Sequence, residues 1–370
     1  MDSNQKAWPA SRIVHLPGGC LASNYSDSPV IFLPESLTGG SVEYEISEYH
    51  ELAKLFCDLN MTVIGVDYFQ SQQEIDGIVP PVWKALNLID GKFCSINDLA
   101  DVWSNIGHSA YIKKDGRLWD ISSRISHQLN VCSWRLSELS TKYQQQLKAR
   151  TLQGKFKIGQ LFIDLNTWHV YLSIQAFLVD ACVLRDYLAE FVNYFVVSQK
   201  YNLDLSITSM GGLLKGINKI EIDDLVLTYI KESAAPRGWL KKLGEYRDLV
   251  VHSAPLAKAE QKLFVVSSEL DIGTQYKLPS IICPIPDNPK EIAASRSKGN
   301  FFENFEKQIG LFNKAANMDI PSTDGLVYAH SVVGNLYKFA HMLVDESPVI
   351  PKRMTFDESN IISDIEIKYE

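Results

Sequence analysis

The sequence predicts an α+β protein: an N-terminal unit of mixed α/β texture over about residues 1–150, then an all-α helical bundle over about 151–370 that carries a β-hairpin insertion near 262–289. Three observations predict it. The chain has 370 residues, beyond the usual single-domain size, and with 46% apolar and 22% charged residues it can bury a core without staples. Short β-prone apolar runs mark the first unit. Beyond it, apolar positions recur at three- and four-residue steps.

In the first unit, Val30 to Leu33 is a short apolar run, Tyr44 to Asn60 is helix-like and Met61 to Tyr68 is strand-like. Asp115-Gly116 lies between the β-prone runs Ser109 to Ile112 and Leu118 to Ile121, and a positive φ is cheap for Gly and tolerable for Asp, so a hairpin is expected there. His108, Lys113, Lys114 and Arg117 then surround its tip, with Tyr111 nearby. A β-ribbon of that composition can track a phosphate backbone, and a solvated tip is the plainer reading. The polar stretch Lys142 to Arg150 closes the unit, and Lys155 to Asp164 adds one more strand.

The second unit opens with a long helix capped by Asn166 or Thr167, in which Tyr171, Ile174, Leu178, Ala181, Leu188 and Phe195 form a stripe widened by Phe177, Leu184 and Phe191. A stripe that wide packs on two sides. A helix over Ile222 to Ser233 follows, and another begins near Pro236 and stops at Pro255, with Trp239, Leu240, Leu243, Tyr246, Val250 and Val251 on its apolar face and Arg247 inside that stripe. The insertion has β-prone runs at Leu263 to Val266 and at Ile281-Ile282, then a proline-rich exit that no helix continues through. Helices over about Asn300 to Ala316 and Asp324 to Val344 complete the bundle, with Leu326, His330, Val333, Tyr337 and Ala340 on one side of the last, and the acidic tail after Pro348 is peripheral.

Composition narrows the function. The formal charge of −8 gives no whole-molecule attraction to nucleic acid or to an anionic membrane, so any such contact is local. Cys20, Cys57, Cys94, Cys132, Cys182 and Cys283 form no CxxC and no pair at metal-ligand spacing, which reads as reduced thiols in a cytoplasmic chain. Neither a secretory leader nor a membrane span is expected: the first residues lack an apolar core, and Asp180, Arg185 and Glu190 interrupt the most apolar stretch. Gly18-Gly19-Cys20 and Gly39-Gly40 lack the helix and lysine of a phosphate-binding loop, and His330 and His341, eleven residues apart, read as packing. No cofactor and no metal is expected.

The residues that carry chemistry are Arg247 and His252, an R-x4-H element in the last turns of a bundle helix. Arg247 interrupts an apolar stripe, Asp248 follows it directly, and His252 stands near a proline stop. The segment Lys242 to Pro255 resembles the motif helix of the HEPN superfamily, whose members carry R-x4-6-H in a helical bundle. The resemblance implies metal-independent cleavage of RNA, with two protomers bringing two such pairs to one cleft along a dimer axis, in a host-defence or toxin-like setting. A homodimer through the helical unit and a regulatory partner or trigger for the N-terminal unit would accompany it.

Residue chemistry agrees with that implication. Attack of a ribose 2′-OH on the adjacent phosphate needs a proton acceptor, and a donor for the leaving 5′-oxygen, near neutral pH, which imidazole supplies. The guanidinium of Arg247 would contact the charged nonbridging oxygens. Five steps of an ideal helix leave the two side chains about 140° apart around its axis, so side-chain length or a distorted last turn must close the gap. Asp248, Asp180 and Arg185 are candidates for orienting the pair. Under the structural alternative, Arg247 pairs with Asp180, Asp186 or Glu190, and His252 caps the helix end. Under a third reading the bundle is a noncatalytic module that binds a partner protein or a nucleotide. Family members paired with a nucleotidyltransferase carry a Tyr two residues after the His; here that position is Ala254.

Overall fold

A computed structural model describes residues 11–25, 28–154, 156–201, 207–219, 224–253, 256, 264–297 and 323–351. The chain is α+β, with an antiparallel sheet first and helices after it. Strands β1 (Ser11–His15), β2 (Leu21–Asn24), β3 (Val30–Leu33), β4 (Val42–Tyr44), β5 (Gly65–Phe69), β6 (Val82–Ile89) and β7 (Lys92–Ser95) form one seven-stranded sheet in the order β4-β3-β2-β1-β5-β6-β7. The first four run as a meander, and β5 returns to the free edge of β1.

Alternation along the strands gives the sheet two distinct faces. Val14 pairs with Ala22 and Val66, and Ala22 with Phe32, so these share one face. There α1 (Glu51–Asp58) buries Leu52 and Phe56, the latter ring 6.0 Å from Phe32. His15, Asp67 and Trp83 lie on the other face, against the long helix α4 (Gly116–Leu152). His15 Nδ1 meets Ser140 Oγ at 3.0 Å, and Trp83 Nε1 donates to the Ser133 carbonyl at 3.0 Å. A short helix α2 (Gln72–Ile75) follows β5.

The expected hairpin at 113–117 is instead the corner between two helices, α3 (Ile96–Ile112) and α4. Leu118, Ile121, Ile125 and Leu129 are buried at three- and four-residue steps, and that periodicity outweighs the β-prone composition. Asp115 does not turn a hairpin; its Oδ1 caps α4 by accepting the Leu118 N–H at 3.0 Å. Lys114, not Gly116, takes the left-handed φ of 61°.

The strand expected over 155–164 shrinks to β8 (Leu161–Phe162), because Gly159 turns the chain just ahead of it with a φ of 75°. Helix α5 (Leu165–Phe191) is capped by Asp164, slightly earlier than expected, in a reciprocal box with Thr167. It continues through a π turn, Val192–Ser198, into the single turn α6 (Gln199–Tyr201). Every position of the predicted wide stripe is buried, and α5 packs on α4, on α9 (Trp239–Asp248) and on the last helix, α11 (Gly325–Val344). The stretch Leu165–Tyr201 is long and apolar enough to cross a membrane, yet more than half of its most apolar window is buried inside the protein, as in a core helix.

Helices α7 (Met210–Ile217) and α8 (Leu225–Ser233) lie beside α5 and α9. The insertion is a hairpin, as expected: β9 (Val265–Ile272) pairs with β10 (Tyr276–Ile282), and β8 lies on the outer side of β9. After it come β11 (Pro284–Ile285), α10 (Pro289–Ser297) and β12 (Thr323–Asp324), which pairs with β11. The helix expected near 300–316, and the chain after residue 351, fall outside the described residues. One hydrophobic core runs from Val14 in the sheet to Val349. The division expected near residue 150 falls in the last turn of α4.

Candidate functional site

Helix α9 starts at Trp239, three residues later than the sequence suggests, because Gly238 packs against the end of α8, where an added Cβ would lie 2.1 Å from the Ser233 carbonyl oxygen. Leu240, Leu243 and Tyr246 form its buried face. The Tyr246 hydroxyl donates to the Pro286 carbonyl at 2.6 Å, and its ring meets Tyr328 edge-on at 4.9 Å, which fixes the helix to the exit of the β insertion and to α11. The end of α9 is not a regular α turn. Leu249–Ser253 form a π turn.

That turn answers the difficulty posed by a five-residue spacing. Hydrogen bonding of the i to i+5 kind widens the coil, so residues five apart come to one face. Arg247 Nη1 donates to His252 Nε2 across 3.3 Å and to Asp248 Oδ1 across 3.1 Å. Arg247 does not occupy the buried stripe: its side chain is 39% exposed, and Val251 and His252 are exposed as well.

The pair faces a cleft of about 870 Å³ between α5, α7, α9 and α10. Arg185 and Asp186 of α5 form one wall, with Arg185 Nε and Nη2 donating to Asp186 Oδ1 at 3.1 and 2.9 Å. Asp186 Oδ1 also accepts the Met210 N–H at 3.0 Å at the start of α7. The guanidinium of Arg185 crosses α9 at Gly244, where a Cβ would lie 3.0 Å from Nη1. Lys241 and Lys290 complete the cations of the lining, and Glu245 joins Asp186 and Asp248 as an acid.

Of the residues singled out from the sequence, Arg247, His252, Asp248 and Arg185 meet in this cleft. Asp180 does not: its carboxylate accepts from Arg135 Nε at 2.7 Å on the α4 side of α5. Asp180 therefore orients Arg135 of α4 and not the Arg247–His252 pair. The structural alternative for Arg247 also lacks its partners, because Asp180, Asp186 and Glu190 engage Arg135, Arg185 and Arg124 respectively. Lys241 and Lys290 were not anticipated; only the fold brings Lys290, on α10, to this wall, and no spacing in the sequence signals it.

Other titratable groups play structural parts. Cys182, beneath the cleft, is held by burial at a thiol pKa of about 11, which leaves no thiolate nucleophile there. His330 is buried with Nε2 2.7 Å from the Leu86 carbonyl, and burial pushes its imidazole below the ordinary value. His341 stacks on Tyr337, with the rings 5.7 Å apart. The His15 ring bridges Ser140 and Asp67, each at 3.0 Å, with Ser140 1% exposed, so the trio ties α4 to the sheet. Among the described residues no group of three His, Cys, Asp or Glu side chains is arranged to hold a metal ion. The chain matches no family model, no curated protein and no solved structure.

Proposed function

We propose that the protein is a metal-independent endoribonuclease of HEPN type, acting in the cytoplasm as a homodimer through its helical part. The observation that carries this reading is the 3.3 Å contact between Arg247 and His252 at the rim of an open cleft. A bound phosphodiester would draw the guanidinium away from Nε2 and onto its own nonbridging oxygens, leaving the imidazole free to act.

His252 then takes the proton of the ribose 2′-OH, whose oxygen attacks the adjacent phosphorus. The bond from phosphorus to the 5′-oxygen breaks, and an imidazolium, from the second protomer in the dimeric arrangement, protonates the leaving oxygen. The products are a 2′,3′-cyclic phosphate and a 5′-hydroxyl. Arg247 stabilises the charge that grows on phosphorus-bound oxygen, and Arg185, held flat by Asp186, supplies a second cation.

The test is cleavage of a mixed RNA pool in EDTA by wild type, Arg247→Ala and His252→Ala, each shown to be folded by circular dichroism. Wild type alone should cut and leave cyclic phosphate ends. Equal results from all three would defeat the reading. The carboxylates of Asp186, Glu245 and Asp248 in the cleft favour, within the second reading of a noncatalytic groove for a partner protein or nucleotide, the partner protein, because they repel phosphate. Under it His252→Ala keeps the biological effect.

A further inference from the structure

The corner between α3 and α4 exposes three large apolar side chains together, Tyr111, Ile112 and Trp119, at 67%, 59% and 49%. Single exposed apolar residues are ordinary, but a cluster on a tight corner points to a binding surface. The Tyr111 and Trp119 rings stand 6.3 Å apart and inclined by 54°, walling a notch of about 420 Å³ with Ile112 and the turn 114–116.

Cations outnumber acids at this corner. Lys113, Lys114 and Arg117 are exposed, and Arg117 lies over the Tyr194 ring at 4.1 Å. The nearby acids are engaged by their own helix: Asp115 caps Leu118, and Asp120 binds Arg124 at 2.8 Å. Neither lysine has a carboxylate partner among the described residues. Lys114 moreover occupies the left-handed position that ends α3, where its N–H donates to the Tyr111 carbonyl at 3.0 Å and the Asp115 N–H to the Ala110 carbonyl at 2.9 Å. Glycine suits that position best, so the lysine sits there against the backbone preference.

Aromatic faces interleaved with unpaired cations recognise a ligand with planar rings and negative charge between them. We propose that this notch is a docking subsite for single-stranded RNA, one base stacking on Trp119 and Tyr111 while Lys113 and Lys114 hold its flanking phosphates. The inference rests on the ribonuclease reading and names the form of its substrate. Tyr194, under Arg117, lies nine residues beyond Arg185 on the same helical run, about 14 Å along the axis and about half a turn around it, so a strand held at the corner must pass around that helix to enter the cleft.

The experiment is fluorescence anisotropy of a labelled oligouridylate with the full chain carrying His252→Ala, so that nothing is cut. Trp119→Ala should weaken binding about tenfold, and Trp119→Phe should keep it. Replacing both lysines, Lys113→Ala with Lys114→Gly, should flatten the salt dependence by about 1.4 in log–log slope. Lys114→Gly alone should melt higher than its parent, so its weaker binding is not unfolding.

Equal binding by all variants, or no binding by the parent, overturns the subsite. So does binding to phosphatidylserine–phosphatidylcholine vesicles that these variants abolish while oligouridylate is ignored, which assigns the corner to a membrane. The two readings fail separately: a wild type that cuts no RNA while its Trp119-dependent binding persists loses the nuclease alone, and one that cuts RNA with unchanged KM in Trp119→Ala loses the subsite alone.

Discussion

At the residue scale the pairing of Arg247 with His252 is too exposed to hold the fold together. Arg247 is 39% and Asp248 63% exposed, and a solvent-screened contact of this kind contributes under about 1 kcal/mol. Arg247→Ala and His252→Ala should therefore melt within a degree or two of wild type, while each lowers cleavage by about a hundredfold or more. Their double variant should be little worse than either single one, because the two act on one transition state. Arg247→Lys should recover only part of the rate, since an ammonium cannot span two phosphate oxygens. Kinetics and melting curves on the same preparations check all of this, and a large fall in melting temperature would return Arg247 to a structural part. The pair itself was legible in the sequence, from an arginine among apolar neighbours and a histidine five residues on. The contact was not, because an ideal helix sets the two side chains apart and residue types do not announce a π turn.

At the element scale the helix starts carry much of the specification. Asp324 is half-buried at the start of α11, where its carboxylate accepts the N–H groups of Leu326 and Val327, the Tyr143 hydroxyl at 2.8 Å and the Cys283 N–H at 2.8 Å. It thus joins α4, the β insertion and the last helix. Asp324→Ala leaves the Val327 and Cys283 N–H groups and the Tyr143 hydroxyl without an acceptor, while the Leu326 N–H keeps the Tyr143 oxygen, and should cost several kcal/mol, seen as lost expression of folded protein or a fall of many degrees in melting temperature. Asp224 works on α8 in a wetter setting. Burial pushes its carboxyl up, but the Leu227 N–H, the Tyr201 hydroxyl and Lys200 outweigh burial and hold it below the ordinary range. A depressed carboxyl adds stability that is present above the unfolded pKa of about 4 and is lost as pH falls through the lower folded value. Stability measured by denaturant from pH 6 down to pH 2 should fall more steeply for wild type than for Asp224→Asn; parallel curves would sink the assignment. Asp324 was readable as a helix start because an apolar period begins right after it. Asp115 is ambiguous in the sequence because Asp-Gly serves both hairpins and caps, and only the buried period from Leu118 decides between them.

At the scale of the whole molecule the question is whether the sheet and the helices unfold together. Helix α4 buries residues on several sides, among them Trp83's partner Ser133, Ser140 beneath His15, and Tyr143, whose hydroxyl reaches Asp324 across the helical layer. A helix buried so widely cannot be satisfied by the sheet alone, and α5 covers what the sheet leaves open. Composition suggested two units because the texture changes near residue 150, but composition does not report that one long helix serves both layers. The continuous core from Val14 to Val349 predicts one cooperative transition for the full chain, with calorimetric and van't Hoff enthalpies in a ratio near 1. It also predicts that a fragment ending at residue 150 exposes the α5-facing side of α4, binds a hydrophobic dye and melts without a sharp transition. His15→Ala should lower the single midpoint of the full chain without splitting it, because the Ser140 tie belongs to the shared core. Two well-separated transitions in wild type, the lower one moved by His15→Ala and the upper one not, would instead establish a sheet unit that folds by itself.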